Sequence, residues 1–337
     1  MRILITGGCG FVGSNLCFYL MDKLKIKNLL IETVDNLKKK SSIINLKRLK
    51  KKKIKNYKLD VSKKNSLKKL KKYDLIIDCC AEPAVEISKK KPDQVLSTNL
   101  IGTLNTIEKA RNDDSKILFI STSRVYPIKD TYNYMKKKEE FDENNNLNGI
   151  KSLYGYSKIT SEMLIEEYSY AFNLEYLIIR SGLITGPWQF GKVEQGLISL
   201  WIIKHIFKQK LSYIGFGGTG KQIRDVLFIE DFCELILLSI KKFKSVKNQI
   251  FCVGGGRKNK INLLELTDYC QKITKNKIKI SRIKKTSNYD IPYFVAKNQK
   301  VKNLLNWRPK VNIQNTIIKT YNWINMNRKL IKRFYNE

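Results

Sequence analysis

Histidine is almost missing from this chain: among 337 residues there is one, His205. The seven cysteines (9, 17, 79, 80, 233, 252 and 270) show no CxxC or other ligand spacing. With one imidazole and no thiol pair a metal site is hard to build, and none is expected. His205 reads as a helix residue at a packed edge, and cysteines within apolar segments pack as small hydrophobes. No apolar run is long enough to cross a bilayer. The opening "MRILITGG" reads as a short strand, not as a basic segment followed by an apolar stretch and a cleavage site, so a cytoplasmic protein away from membranes is expected.

Acids are scarce too: 30 Asp and Glu face 65 Lys and Arg, a formal charge of +35. Such a surface attracts polyanions in general. Yet "KKKIKN" (51–56) and "KKLKK" (68–72) carry no aromatic platform or recognised binding motif, and read as solvated helix faces. A genome rich in A and T encodes Lys, Asn and Ile freely, which explains the charge without nucleic acid as a partner. A nucleotide carrying two phosphates would still be drawn to this surface.

What is present is an alternation of short apolar strands and amphipathic helices up to about residue 180. The strands are expected at 2–6, 28–34, 73–79, 116–121 and 174–180, with a helix over 92–111 among the connections. That rhythm predicts an α/β fold, a parallel sheet with helices on both faces. After 180 it gives way to a long helix around 193–209, the Gly-rich turn "GFGGTG" (215–220), and closing helices near 301–309 and 316–324. A smaller lobe sharing its core with the first part is expected, and the Asn-rich stretch 142–149 reads as a mobile loop.

"ITGGCGFVGSNL" (5–16) follows the first strand and opens the first helix, with Gly7, Gly10 and Gly13 in a G-x-x-G-x-x-G series. Residues without side chains let the backbone turn tightly, approach a pyrophosphate and pack helix on sheet, while the helix N-terminus offers free N–H groups. Asp35 ends the second strand 22 positions after Gly13. A carboxylate there accepts hydrogen bonds from the adenine ribose and favours NAD over NADP, although Lys38, Lys39 and Lys40 can attract a 2′-phosphate. Asp60, in "LDV" at the end of the third strand, can meet the adenine amino group; ordinary strand-end capping is the alternative for both acids.

"YGYSK" (154–158) sets Tyr154 and Lys158 on one helical face. A phenol, normally near pKa ~10, takes a proton from an alcohol only if it ionises more readily. A nearby ammonium and a positive nicotinamide both favour phenolate; a shift of ~3 units corresponds to ~4 kcal/mol. A chance YxxxK is common in a lysine-rich chain, so the weight comes from its place, on a helix after the strand ending in Thr122.

These stretches, with "VDNL", "NLIGTLN", "STSRVY", "GKQIRDVLFIED" and "LNWRPK", resemble the extended short-chain dehydrogenase/reductases over almost the whole chain. The resemblance implies a Rossmann-like doubly wound parallel sheet, with an NAD-binding domain at 1–180, a later return near 225–253, and a smaller C-terminal substrate lobe over most of 181–337. It implies tightly held NAD, further cofactor contacts from Phe11, Val12, Asn36, Val61, Cys80, Ala81 and Asn99, and the triad Thr122, Tyr154 and Lys158. "GPWQFGKVEQG" (186–196) and "GTGKQIRDVL" (218–227) are similar to the group of CDP-tyvelose (CDP-paratose 2-) epimerases.

Family members that dehydrate nucleotide sugars carry an Asp-Glu pair after the threonine, where this chain has Ser123 and Arg124. Arginine has no accessible neutral form and cannot donate the proton an elimination needs. What remains is oxidation alone. The resemblance therefore implies an epimerase that oxidises a nucleotide sugar to a ketone, lets it rotate and reduces it on the other face, at C2 of a CDP-linked deoxyhexose. An NAD-dependent nucleotide-sugar dehydrogenase or reductase would use the same triad. A non-catalytic RNA-binding scaffold is opposed by the triad's completeness.

At the substrate end the resemblance points to Arg224 for the diphosphate, the alternative being an ion pair with Asp225. It also points to Arg124, alternatively a salt bridge supporting the lobe; Glu82 stands where the tyvelose enzymes carry a glutamine, and can bind a sugar hydroxyl while bringing negative charge near the cofactor. Gln189 and Gln195 are either sugar or base contacts or helix-end residues. Leu183 and Lys297 depart from the family's usual residues. The resemblance further implies a homodimer or higher homo-oligomer through the helices 92–111 and 153–172, core packing being the alternative for their apolar faces.

Overall fold

Seven parallel strands form the centre of the computed structural model, which describes residues 1–192 and 195–336. They are β1 (Arg2–Thr6), β2 (Leu30–Val34), β3 (Lys55–Tyr57), β4 (Leu75–Asp78), β5 (Lys116–Thr122), β6 (Tyr176–Ser181) and β7 (Gln249–Val253). Their order across the sheet is β7-β6-β5-β4-β1-β2-β3. Runs such as Ile3-Leu4-Ile5 and Ile76-Ile77 are wholly buried, as strands covered on both faces must be. Successive connections leave β1 in opposite directions, so the carboxyl ends of β1 and β4 bound the crevice where open α/β sheets bind ligands.

One face of the sheet is covered by the helices Phe11–Lys23 and Ile229–Lys241, which enclose Leu16, Leu20, Phe232 and Ile236. On the other, Gly102–Asp113 and Leu153–Phe172 bury Ile107, Ala110 and Ile165 against Leu4, Ile76 and Phe119. Each of these leucine, isoleucine and phenylalanine side chains contributes roughly 1.5–3 kcal/mol on leaving water.

The helix expected over 92–111 is broken in a way its sequence does not announce. It runs as Pro92–Leu96, then a wide π turn over Ser97–Ile101, then Gly102–Asp113. A Cβ on Gly102 would lie 2.7 Å from Val61 Cγ2, so the chain passes close to the segment after β3. The wide turn puts Asn99 completely inside the protein. Similarly, β3 ends at Tyr57, and Asp60 lies in the turn beyond it rather than in a strand.

The lobe is built on the strand Ile223–Phe228, which pairs with Leu183–Thr185, Lys260–Ile261 and Tyr293–Phe294. The chain returns to the main sheet through the helix Ile229–Lys241 and β7. Helices Leu197–Ile206, Leu263–Thr274 and Ile313–Met326 enclose Ile198, Trp201, Leu266 and Ile317. His205 is in this core, wholly buried, its Nδ1 2.8 Å from the Trp201 carbonyl. Residues 193 and 194, expected to begin the first of these helices, lie outside the described residues. The Asn-rich stretch is pinned rather than loose: Glu143 accepts from the Cys252 amide at 2.6 Å, and Tyr126 Oη donates to the Asp142 carbonyl at 2.8 Å.

Candidate active site

The carboxyl ends of β1, β4, β5 and β6 open into one cavity of about 1220 Å³, roofed by the lobe. That exceeds the usual volume of a pocket for one small ligand, roughly 300–1,000 Å³, and suits a dinucleotide and a second ligand together. Of the catalytic, cofactor and substrate residues expected from the sequence, all but Asn99 and Lys158 line it.

The glycine series fits a pyrophosphate for concrete reasons. Gly7 has φ +61, and a Cβ at Gly13 would lie 2.5 Å from the Gly7 carbonyl oxygen. The helix that follows has no side-chain cap and no acid in its first turn, which leaves its first N–H groups for an anion. Asp35 faces the same space, accepting from the amides of Leu37 (2.9 Å) and Cys9 (3.2 Å). Burial pushes this carboxyl above its ordinary value, with the amides opposing. Burial also acts to raise Asp60, but hydrogen bonds from Lys38, Ser62 and Asn36 outweigh it and hold the group well below the usual carboxylate range.

The three lysines that left NADP open each have a partner. Lys38 Nζ is 2.7 Å from Asp60, Lys39 Nζ is 3.2 Å from Glu82, and Lys40 Nζ donates to the Arg333 and Phe334 carbonyls at 3.3 and 3.0 Å. With Asp35 presented to the ribose position and these ammonium groups paired, the residues fit NAD.

Tyr154 sits at the start of the helix Leu153–Phe172, whose Ser152 caps the Gly155 amide at 3.1 Å. Thr122 ends β5 and accepts from the Arg124 amide at 3.2 Å, and its hydroxyl favours ionisation of the Tyr154 phenol. The Arg124 carbonyl would be 2.3 Å from a Cβ at position 155, so only glycine lets the two segments meet this closely. Burial raises the Tyr154 pKa; Thr122 and the Arg124 charge oppose that rise, and Glu82 adds to it.

Lys158 is placed differently from expectation. Its ammonium is buried beneath the cavity wall, 3.7 Å from the centre of the Phe119 ring. Burial pushes it down, against the charges of Asp78 and Glu162. The Arg124 charge opposes the rise of the Tyr154 pKa. Asn99 likewise faces away from the cavity: its side chain bonds the backbone of Glu82 and the hydroxyl of Ser157.

At the lobe end, Arg224 pairs not with Asp225 but with Asp290, at 3.4 Å. Asp225 is turned inward, where Oδ2 accepts from the Gly256 and Ala296 amides, both at 2.9 Å. Gln189 touches the cavity, but its amide is spent on Thr185, Ser199 and the Ile184 carbonyl. Gln195 is exposed. Two residues escaped sequence reasoning. Asp290 is a lone acid in a lysine-rich loop, and only its place between Arg124 and Arg224 gives it meaning. Trp188 lines the cavity with φ +70, its ring 3.8 Å below the Arg48 guanidinium; an isolated tryptophan carries no such signal.

Residues 3–254 match the NAD dependent epimerase/dehydratase family. The chain belongs to that family. The epimerase is 30% identical to the CDP-paratose 2-epimerase of Salmonella typhi, over 96% of this chain and 99% of that one. It is also 30% identical to a putative UDP-glucose 4-epimerase of Methanocaldococcus jannaschii, over 97% and 99%. The UDP-glucuronic acid 4-epimerase of Bacillus cereus, solved with UDP-glucuronic acid and NAD, shares the fold at a TM-score of 0.83 and 22% identity, over 97% of this chain and 99% of that one. NAD is the cofactor of this enzyme. Among the described residues no helix is long and apolar enough to cross a membrane.

Proposed function

We propose that this epimerase inverts C2 of a CDP-linked deoxyhexose by oxidation and re-reduction within one bound complex. The observation that carries the reading is the pairing of Thr122 and Tyr154 at the cavity wall with Arg124, not a carboxylic acid, beside them. Tyr154 accepts the proton of the sugar hydroxyl through Thr122, whose hydroxyl bridges the two oxygens. The Arg124 charge lowers the cost of holding Tyr154 as the phenolate that receives this proton. When bound, NAD supplies the centre that takes hydride from the sugar carbon and gives it back.

The residues also account for what does not happen. Glu82, whose charge bears on Tyr154, forms an ion pair with Lys39 at 3.2 Å. An elimination needs a proton donor at the leaving hydroxyl, and the positions after Thr122 supply a hydroxyl and a guanidinium instead. The ketone is therefore kept and turned rather than dehydrated. The cavity's breadth toward the lobe leaves room for that rotation. Whole-length similarity to a CDP-paratose 2-epimerase supports the base and the carbon.

The test is substrate choice. Purified enzyme is given CDP-paratose, UDP-glucose and UDP-glucuronate in parallel, and products are read by NMR. The reading predicts the C2 epimer of the CDP-sugar as the main product. Inversion at C4 of a UDP-sugar, with CDP-paratose untouched, would overturn it.

A further inference from the structure

Lys39 and Glu82 meet across the crevice, Nζ to Oε2 at 3.2 Å, from the segments that follow β2 and β4. Those two strands flank β1, whose carboxyl end opens into the glycine turn 7–13. A bridge between the neighbours of β1 therefore spans the crevice on whose floor the glycine turn lies. Both residues line the cavity. The Glu82 side chain is 7% exposed and that of Lys39 49%, so the bridge has one buried end and one that solvent reaches.

The two ends are held differently. Glu82 is anchored through its backbone, whose amide and carbonyl both bond Asn99 on the buried π turn. Lys39 rides on the short turn between β2 and the helix Lys40–Lys51. Leu37 in that turn has φ +59, a left-handed conformation that leucine rarely adopts and that persists only where the surroundings impose it. They do so from two sides: Lys38 Nζ is 2.7 Å from Asp60 beyond β3, and Lys40 Nζ donates to the Arg333 and Phe334 carbonyls of the lobe's last helix. Three successive ammonium groups thus go three ways, and the middle one is left reaching toward β4. A partly exposed ion pair contributes little to folding, so its place is what gives it meaning.

We propose that Lys39 and Glu82 form a strap that closes over the bound dinucleotide and has to open before the cofactor can leave. The inference rests on NAD as the cofactor and not on the choice of sugar. An epimerase gives back the hydride it took, so its cofactor ends each cycle as it began and gains nothing from exchange. A bridge with a fixed end at Glu82 and a solvent-accessible end at Lys39 opens from the lysine side. It thereby sets how long the cofactor stays.

The experiment loads the enzyme with radiolabelled NAD, adds an excess of unlabelled NAD, and follows release of the label. Lys39→Met and Glu82→Gln should each release it about three- to tenfold faster than wild type. The double variant should be no faster than either single one, because each removes the same strap. The exchanged pair, Lys39→Glu with Glu82→Lys, should restore slow release, which a packing defect would not allow. Added salt should speed release from wild type but not from Lys39→Met, since the exposed end is screened. If Lys39 instead held the phosphates directly, Glu82→Gln would set it free to do so and slow the release. If the pair obstructed entry, both single variants would bind NAD more tightly at equilibrium. Either result, additive effects in the double variant, or rates unchanged from wild type would overturn the strap.

Discussion

Asn99 and Glu82 are joined by a closed pair of hydrogen bonds. The Glu82 amide donates to Asn99 Oδ1 at 2.7 Å, and Asn99 Nδ2 donates back to the Glu82 carbonyl at 3.2 Å. The same Nδ2 is 3.0 Å from Ser157 Oγ on the helix that carries Tyr154. One amide in a π turn thus fixes the cofactor-facing backbone after β4 relative to the catalytic helix.

Asn99→Ala should therefore cost more than its size suggests. It leaves a buried N–H and a buried carbonyl unpaired, at roughly 1–3 kcal/mol each. Urea unfolding should show the loss, and NAD should wash from the variant during gel filtration while wild type retains it. A variant as stable as wild type, with its cofactor kept, would contradict this.

Tyr154→Phe should lower kcat by roughly 10²–10⁴-fold, the usual range for a positioned acid–base group, with NAD still bound. The pH profile should identify the cation beside it. The reacting form is the phenolate, so the rate rises with pH through the Tyr154 pKa. Burial raises that pKa and Arg124 opposes the rise. Taking the positive charge away makes ionisation harder, so Arg124→Gln should move the rising limb to higher pH, while Arg124→Lys should keep it near wild type. A limb unmoved by Arg124→Gln would return the role to Lys158.

Asp225 makes stability fall as pH rises. Burial, against the Ala296 and Gly256 amides, lifts its pKa to about 6, above the ordinary 3.8. A raised carboxyl pKa means that the folded state binds the proton more tightly. Its stabilising contribution is complete below about pH 4 and is lost as pH climbs through 6, about 3 kcal/mol in all. Asp225→Asn should remove that slope, seen as the difference between the two proteins' denaturation midpoints from pH 4 to 7. Parallel curves would contradict it.

The helices 92–111 and 153–172 leave large apolar side chains in solvent, among them Leu96, Ile101, Met163, Phe172 and Tyr170, the last 89% exposed. A second copy of the chain is the partner we propose for them. Met163→Glu should shift the enzyme from dimer to monomer in light scattering. A wild-type monomer at micromolar concentration would refute the dimer.

The parts of this molecule legible in its sequence are those whose chemistry is local. The glycine series, Asp35 and the buried apolar strands each satisfy a rule that spans a few residues, and the structure places them as the spacing requires. The want of an acid after Thr122 was legible through the family resemblance, since a guanidinium cannot donate the proton for elimination. What could not be read depends on distant contacts. The π turn at Ser97–Ile101 reflects the approach of Gly102 to Val61. The burial of Lys158 over Phe119 reflects how the helix sits on β5. Asp290 has meaning only beside two arginines, 66 and 166 positions earlier in the chain.

Internal hydride return is the step on which everything else depends, and solvent deuterium reads it. Purified enzyme is incubated with CDP-paratose in deuterated water, with no NAD added, beside its Tyr154→Phe variant. The expected result is the C2 epimer with no deuterium on carbon, formed by wild type and lost in the variant. Deuterium at C2, or net NADH accumulating with no epimer formed, would contradict it.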